Sequence, residues 1–181
     1  MDARRARFEA QVLPHLDAAY RFARWLAHSR ADAEDIVQDA VLRAFRGFEG
    51  LRGSDARAWL LSIVRNCHAT SYQQHRRRAA VPLPEEGDAQ HAHVMVASEP
   101  DPESLSMQRD DERTFERLLG ALSQEHREVL ALRELEEMSY REIAQVTSVP
   151  VGTVMSRLAR ARSALKELWL KDTEGEPSGV R

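Results

Sequence analysis

Apolar residues in this chain recur every three to four positions in several long stretches, the period of a helix with one buried face. From 31 to 45 the apolar set is Ala33, Ile36, Val37, Ala40, Val41 and Ala44. Asp32, Glu34 and Asp35 fall in that helix's first turn, where carboxylates favour the dipole. Upstream, the pattern predicts a helix with Pro14 in its first turn, running to about His28. Downstream, a glycine-bearing loop (Gly47, Gly50, Gly53) leads to Ser54 as the expected N-cap of a third helix. Its inner face holds Trp59, Leu60, Ile63, Val64 and Cys67, and it runs out into the basic tail QQHRRR.

The second half repeats the style with shorter elements. A helix around 108–122 buries Phe115, Leu118, Leu119 and Leu122, and Ser123 is the expected cap of the next, ending near Leu135. Ser139 with Glu142 three residues on forms a capping box opening a short helix to about Val146. Thr147–Val149 is the expected turn, and Pro150 opens a long helix. Its apolar stripe is Val151, Val154, Leu158, Ala161, Leu165 and Leu168.

Between the halves lies VPLPEEGDAQHAHVMVASEPDPES, with four prolines, one glycine and no helical period. The chain therefore divides into a unit over 1–79, a flexible acidic linker over 80–104, a unit over 105–172 and a disordered tail over 173–181. The expected fold is all-α: an N-terminal helical bundle and a C-terminal helix-turn-helix, both small enough to be marginal alone. How the two units sit against each other is left open.

Composition agrees. Aromatics make up 6%, with only eight glycines and seven prolines, too few for a turn-rich β fold. One cysteine, Cys67, excludes an internal disulfide and a multi-cysteine zinc site. No apolar run is long enough to span a membrane, and MDARRARFEA lacks a signal peptide's apolar core. The expected location is the cytoplasm.

The net charge of −3 conceals a pattern. Arg65–Arg78 carries four arginines and no acid; Val81–Glu103 carries six acids and no Lys or Arg; Tyr140–Lys166 carries five basic residues and one acid. A short helix, a tight turn and a longer helix form the helix-turn-helix layout. Its second helix turns Thr153, Ser156, Ala159 and Arg160 outward, flanked by Met155 and Arg157. Short polar side chains at the start and cations beyond suit a helix entering a major groove. A solvated amphipathic helix carries the same pattern, and residue types alone do not separate the two.

The motifs do. MSYREIAQVTSVPVGTVMSRLARARSAL resembles the C-terminal domain of the extracytoplasmic-function (ECF) sigma factors, the small initiation subunits of bacterial RNA polymerase. The match runs through Ser139, Tyr140, Glu142, Ile143, Ala144, Pro150, Gly152, Thr153, Val154, Ser156, Arg157, Leu158, Arg160, Ala161 and Arg162. Upstream, DAEDIVQDAVLRAF and AWLLSIVRNCHATSYQQHRRR are similar to the same family's N-terminal segments, in family order.

The resemblance implies a set of roles. Pro150, Gly152, Thr153, Met155, Ser156, Arg157, Arg160 and Arg162 would meet the −35 promoter element, with Arg160 reading a base edge and Arg157 and Arg162 holding phosphates. Asn66, Thr70, Gln73, Arg76, Arg77 and Arg78 would serve the −10 element, and the Gly47–Gly53 loop would enclose an extruded base. Asp35, Gln38 and Asp39, on one side of a helix, would dock the clamp helices of the polymerase β-prime subunit. The implied partners are core polymerase, promoter DNA and an anti-sigma factor. No cofactor, metal or covalent chemistry is implied.

Two rivals stand beside this reading: a dimeric helix-turn-helix regulator working without polymerase, and a metalloenzyme using Glu34, Asp35 and Asp39 as ligands. His91 and His93 in the linker lack the third ligand that a metal site needs. The sequence also departs from the family's pattern. Glu137 and Ser148 stand where glycine is common, Ser123 where proline is usual, Thr70 and Gln73 where Asp and Arg are frequent, and Met155 where Lys or Arg is frequent.

Overall fold

The computed structural model describes residues 2–27, 29–51, 55–79 and 117–175. The acidic linker, Phe115 and Ser54 lie outside these residues, as do the side chains of Arg76, Arg77 and Arg78. Among the described residues every regular element is helical: α1 (Asp2–Val12), α2 (Leu16–Leu26), α3 (Arg30–Gly47), α4 (Ala56–Ala79), α5 (Gln124–Leu130), α6 (Tyr140–Thr147) and α7 (Val151–Gly175). A helical turn at 117–120 precedes α5. None of these helices is long and apolar enough to cross a membrane.

The N-terminal unit packs α2, α3 and α4 together around Phe22, Leu26, Ala33, Ala40, Leu60, Leu61 and Val64, each fully buried. The alanines of α3 explain how closely these helices approach, since a methyl adds little between two backbones. Trp59 and Ile63 are half-buried against this core rather than inside it.

Three details differ from the pattern-based expectation. The charged opening segment is itself a helix, α1, held by Phe8, whose ring meets Phe45 and Phe48 edge-on at 5.1 and 5.5 Å. Pro14 lies in a 3-10 turn (Leu13–His15) joining α1 to α2, because proline fixes the tight turn but offers no N–H for a continuing helix. Asp55 caps α4, its Oδ1 accepting from the amide of Ala58 at 2.8 Å.

In the C-terminal unit the expected caps form. Ser123 accepts from His126, and Ser139 and Glu142 close the full capping box. Helix α5 runs on through a π turn (Ala131–Leu135) before the chain reverses at Glu136–Met138. Ser148–Pro150 forms the turn between α6 and α7, one residue later than the pattern suggests. Val154, Leu158 and Ala161 of α7 are buried as expected, but Val151 is 38% exposed. At 100° per residue it sits roughly 50° off the centre of the buried stripe.

Glu137 and Ser148 adopt the left-handed conformation, with φ of 51° and 55°. These are the two positions where the related pattern has glycine. Both side chains are exposed, so their Cβ atoms add backbone strain with little contact in return. Ser148→Gly is expected to stabilise the protein by about 1 kcal/mol, less the glycine's extra freedom in the unfolded chain. Urea denaturation measures it, and a loss of stability would contradict this account of the turn.

The capping box has its own pH signature. The Ser139 side chain and amide hold the Glu142 carboxyl below its ordinary value of 4.5. A depressed folded value means that the stabilisation is present above the unfolded value and lost as pH falls through the folded one. As pH falls below about 5, wild type should therefore lose more stability than Glu142→Gln does.

The two units are not separate. One apolar core runs through both, with α2 packing on α5 and the π turn, and α4 packing on α6. Two buried glutamates of the C-terminal unit accept arginines of the N-terminal unit. Glu136 takes Arg21 through both carboxylate oxygens at 3.0 Å, and Arg57 through its carboxylate and its main-chain carbonyl. Glu128 takes Arg65 at 2.8 Å, with Gln124 on its other oxygen. Burying a carboxylate is costly unless it is fully paired. Here both are paired across the boundary between units.

Candidate nucleic-acid interface

The outward side of α7 is built by elimination. The capping box starts α6, the turn at Ser148 reverses the chain, and Val154 and Leu158 seat α7 on α5 and α6. Met155, Ser156, Ala159 and Arg160 then face solvent. Among the described residues, α7 packs chiefly on α5 and α6, while α4 of the N-terminal unit packs on α6.

The basic side chains of α7 are not equivalent. Arg157 pairs with Glu125 at 2.9 Å, and Arg162 with Glu134 at 2.7 Å, where that hydrogen bond raises its pKa. Arg160 makes no hydrogen bond or ion pair among the described residues, so its guanidinium is available without breaking anything. The Ser156 hydroxyl donates to the carbonyl of Thr153 at 3.0 Å, leaving its lone pairs outward. Pro150 and Gly152 lie exposed at the head of the helix.

The second candidate surface lies on α3 and α4. Asp35 and Gln38 are exposed, and Asp39 is half exposed in an ion pair with Arg43 at 2.8 Å. Asp35, Asp39 and Thr70 line one cleft of about 210 Å³, with Arg43, Cys67 and Ser71. The residues assigned to polymerase docking and to the −10 element thus adjoin. Thr70 bonds back to the carbonyl of Asn66 at 2.9 Å, while Asn66 and Gln73 are exposed. Burial, reinforced by Asp39, pushes the Cys67 thiol up to about 12, so it stays a protonated packing group. Gly47 ends α3 and Gly50 closes a 3-10 turn pinned by buried Phe48; Gly53 lies outside the described residues.

Leu42, which the sequence pattern does not single out, is 55% exposed, one turn beyond Gln38 and Asp39 on the same side of α3. Of the rival carboxylates, Glu34 is held by Arg30 and Asp39 by Arg43, and no group of three or more potential ligands gathers among the described residues.

Comparison with known proteins separates the remaining readings. The Sigma-70 region 2 family model matches residues 12–78, and the Sigma-70 region 4 family model matches residues 112–165. The chain is 30% identical over 162 residues to the ECF RNA polymerase sigma factor EcfG of Rhodopseudomonas palustris, covering 89% of this chain and 84% of that one. The chain belongs to the extracytoplasmic-function sigma factors. It is also 30% identical over 160 residues to the ECF sigma factor SigE of Mycolicibacterium smegmatis, spanning 60% of that protein's length. Its fold matches the sigma factor RpoE of Bartonella quintana, solved in complex with the anti-sigma factor NepR. The TM-score is 0.70 at 30% identity, over 90% of this chain and 96% of that one. As a sigma factor it is a regulator of transcription initiation, with the DNA-binding helix-turn-helix in region 4.

Proposed function

We propose that this sigma factor joins core RNA polymerase through Asp35, Gln38, Asp39 and Leu42 of α3, and places α7 in the major groove of the −35 element. Asn66, Thr70, Gln73 and the basic end of α4 then engage the opened −10 region, with Arg76, Arg77 and Arg78 neutralising phosphates. The sigma factor works in the cytoplasm and carries out no covalent chemistry. The observation that carries this reading is the pairing, in one chain, of an exposed helix-turn-helix face, bearing an Arg160 with no ion pair among the described residues, with an exposed acid-and-amide face on α3. The first suits DNA, the second a basic protein surface. An anti-sigma factor is the expected controlling partner; the Bartonella protein was solved in complex with one.

A dimeric regulator would bind a palindromic duplex tightly by itself. This protein is expected to bind duplex promoter fragments weakly alone and specifically once core polymerase is added. Mobility shift with and without core measures it, and tight unaided binding would sink the proposal.

The division of labour on α7 gives a sharper expectation. Arg160→Ala should relax discrimination roughly 10- to 100-fold at one or two base pairs of the −35 element. Arg157→Ala and Arg162→Ala should instead weaken all promoters alike and flatten the salt dependence. Selection from a randomised −35 library distinguishes the two patterns. A uniform loss for Arg160→Ala would show that it holds backbone rather than reads bases.

A further inference from the structure

Val151, Met155 and Ala159 are each one turn apart on α7, and all three are exposed, Met155 at 53% and Val151 at 38%. Successive members of this row step about 40° round the helix, so they form a short apolar strip beside Ser156 and Arg160. A contiguous row of exposed apolar side chains, unlike a single one, marks a candidate contact surface. Among the described residues, the helices of the N-terminal unit pack on α5, the π turn and α6 rather than on this strip. The outward face of α7 is therefore divided lengthwise, apolar on one side and polar-cationic on the other.

We propose that the Val151–Met155–Ala159 strip reads thymine, by seating the 5-methyl group of one or two thymines of the −35 element against the Met155 and Val151 side chains. This rests on the placement of α7 proposed above. In the major groove the thymine methyl is the one apolar feature a base edge presents, so an apolar strip beside an exposed arginine fits a thymine next to a guanine. Two properties favour Met155 for this task. It lies in the second turn of α7, where a recognition helix comes nearest the bases. Its unbranched, polarisable thioether adapts to a methyl without a fixed rotamer.

The test uses the full chain with core polymerase on a promoter obtained from the library selection. Each thymine of the −35 element is replaced in turn by deoxyuridine, which keeps the pairing edge and lacks only the methyl. At one or two positions holoenzyme binding should fall about three- to ten-fold, the scale expected for uncovering one methyl and its contacts. Deoxyuridine at any other position should have no effect. Met155→Ala should abolish the penalty at its position, Met155→Leu should keep it, and neither should alter the base preference set by Arg160. Since Met155 is on the surface, both variants are expected to fold as wild type does.

If binding and transcription occur but no deoxyuridine carries a penalty, or Met155→Ala keeps the full penalty, the methyl-reading proposal is wrong while the sigma-factor reading stands. If Met155→Ala instead weakens binding to core polymerase without DNA, the strip faces protein and the proposal is equally wrong. If no specific complex forms on any promoter, the underlying placement of α7 fails first.

Discussion

Replacing Glu136 by alanine is expected to cost the folded protein about 2–3 kcal/mol and to loosen the N-terminal unit from the C-terminal one. The Glu136 side chain is fully buried and accepts from two arginines on two different helices of the other unit. Breaking a buried pair by deleting one partner typically costs 3–5 kcal/mol, because the other charge is stranded. Here the arginines are 52% and 34% exposed and recover part of their hydration, which brings the expectation to or below the bottom of that range. For a chain of 181 residues this is a fall in Tm of about 5–10 °C. Glu136→Gln, which keeps the shape and one acceptor, should cost less than half as much.

Small-angle scattering should show the alanine variant more extended than wild type. The reason matters for function. Elements 35 and 10 positions upstream lie roughly 80 Å apart along straight DNA at 3.4 Å per base pair. Two units in direct contact must part to hold both. An unchanged Tm with unchanged compactness would show that Glu136 does not join the units.

The second large effect is expected on α3. Reversing charge at both Asp35 and Asp39 (Asp35→Lys with Asp39→Lys) should weaken binding to core polymerase at least 100-fold. Two lysines facing a basic partner surface exchange attraction for repulsion, a difference of several kcal/mol. Stability should change by well under that amount. Asp35 is exposed and Asp39 half exposed, and an exposed i,i+4 pair such as Asp39–Arg43 is worth less than 1 kcal/mol. Fluorescence anisotropy with labelled protein measures the affinity. A loss below five-fold would move the docking surface elsewhere.

What the sequence made legible was what neighbours in the chain decide. The capping box at Ser139 and Glu142, the cap at Ser123 and the buried stripe of α7 depend on residues within a turn or two. The left-handed positions at Glu137 and Ser148 showed only through the family resemblance, as places where glycine is common. The outward face of α7 followed, because fixing the buried stripe fixes its opposite. Helix α1 was not legible, since its amphipathicity is weak and what holds it is Phe8 meeting rings about 40 residues away. Nor were the pairings of Arg21 and Arg57 with Glu136, or of Arg65 with Glu128, which join residues 115, 79 and 63 positions apart. Periodicity cannot say which buried acid finds which arginine. Val151 is the instructive error: it fitted the apolar stripe by spacing, yet a first-turn residue well off the stripe's centre faces solvent.

The central claim is that this chain confers promoter choice on a polymerase that lacks it. The most direct measurement is in vitro transcription by sigma-free core polymerase on a genomic promoter library, with and without the purified protein. The account predicts that adding the protein produces discrete transcripts from a small set of promoters sharing spaced −35 and −10 elements, and a stable complex with core. Absence of both the complex and the specific transcripts would contradict it.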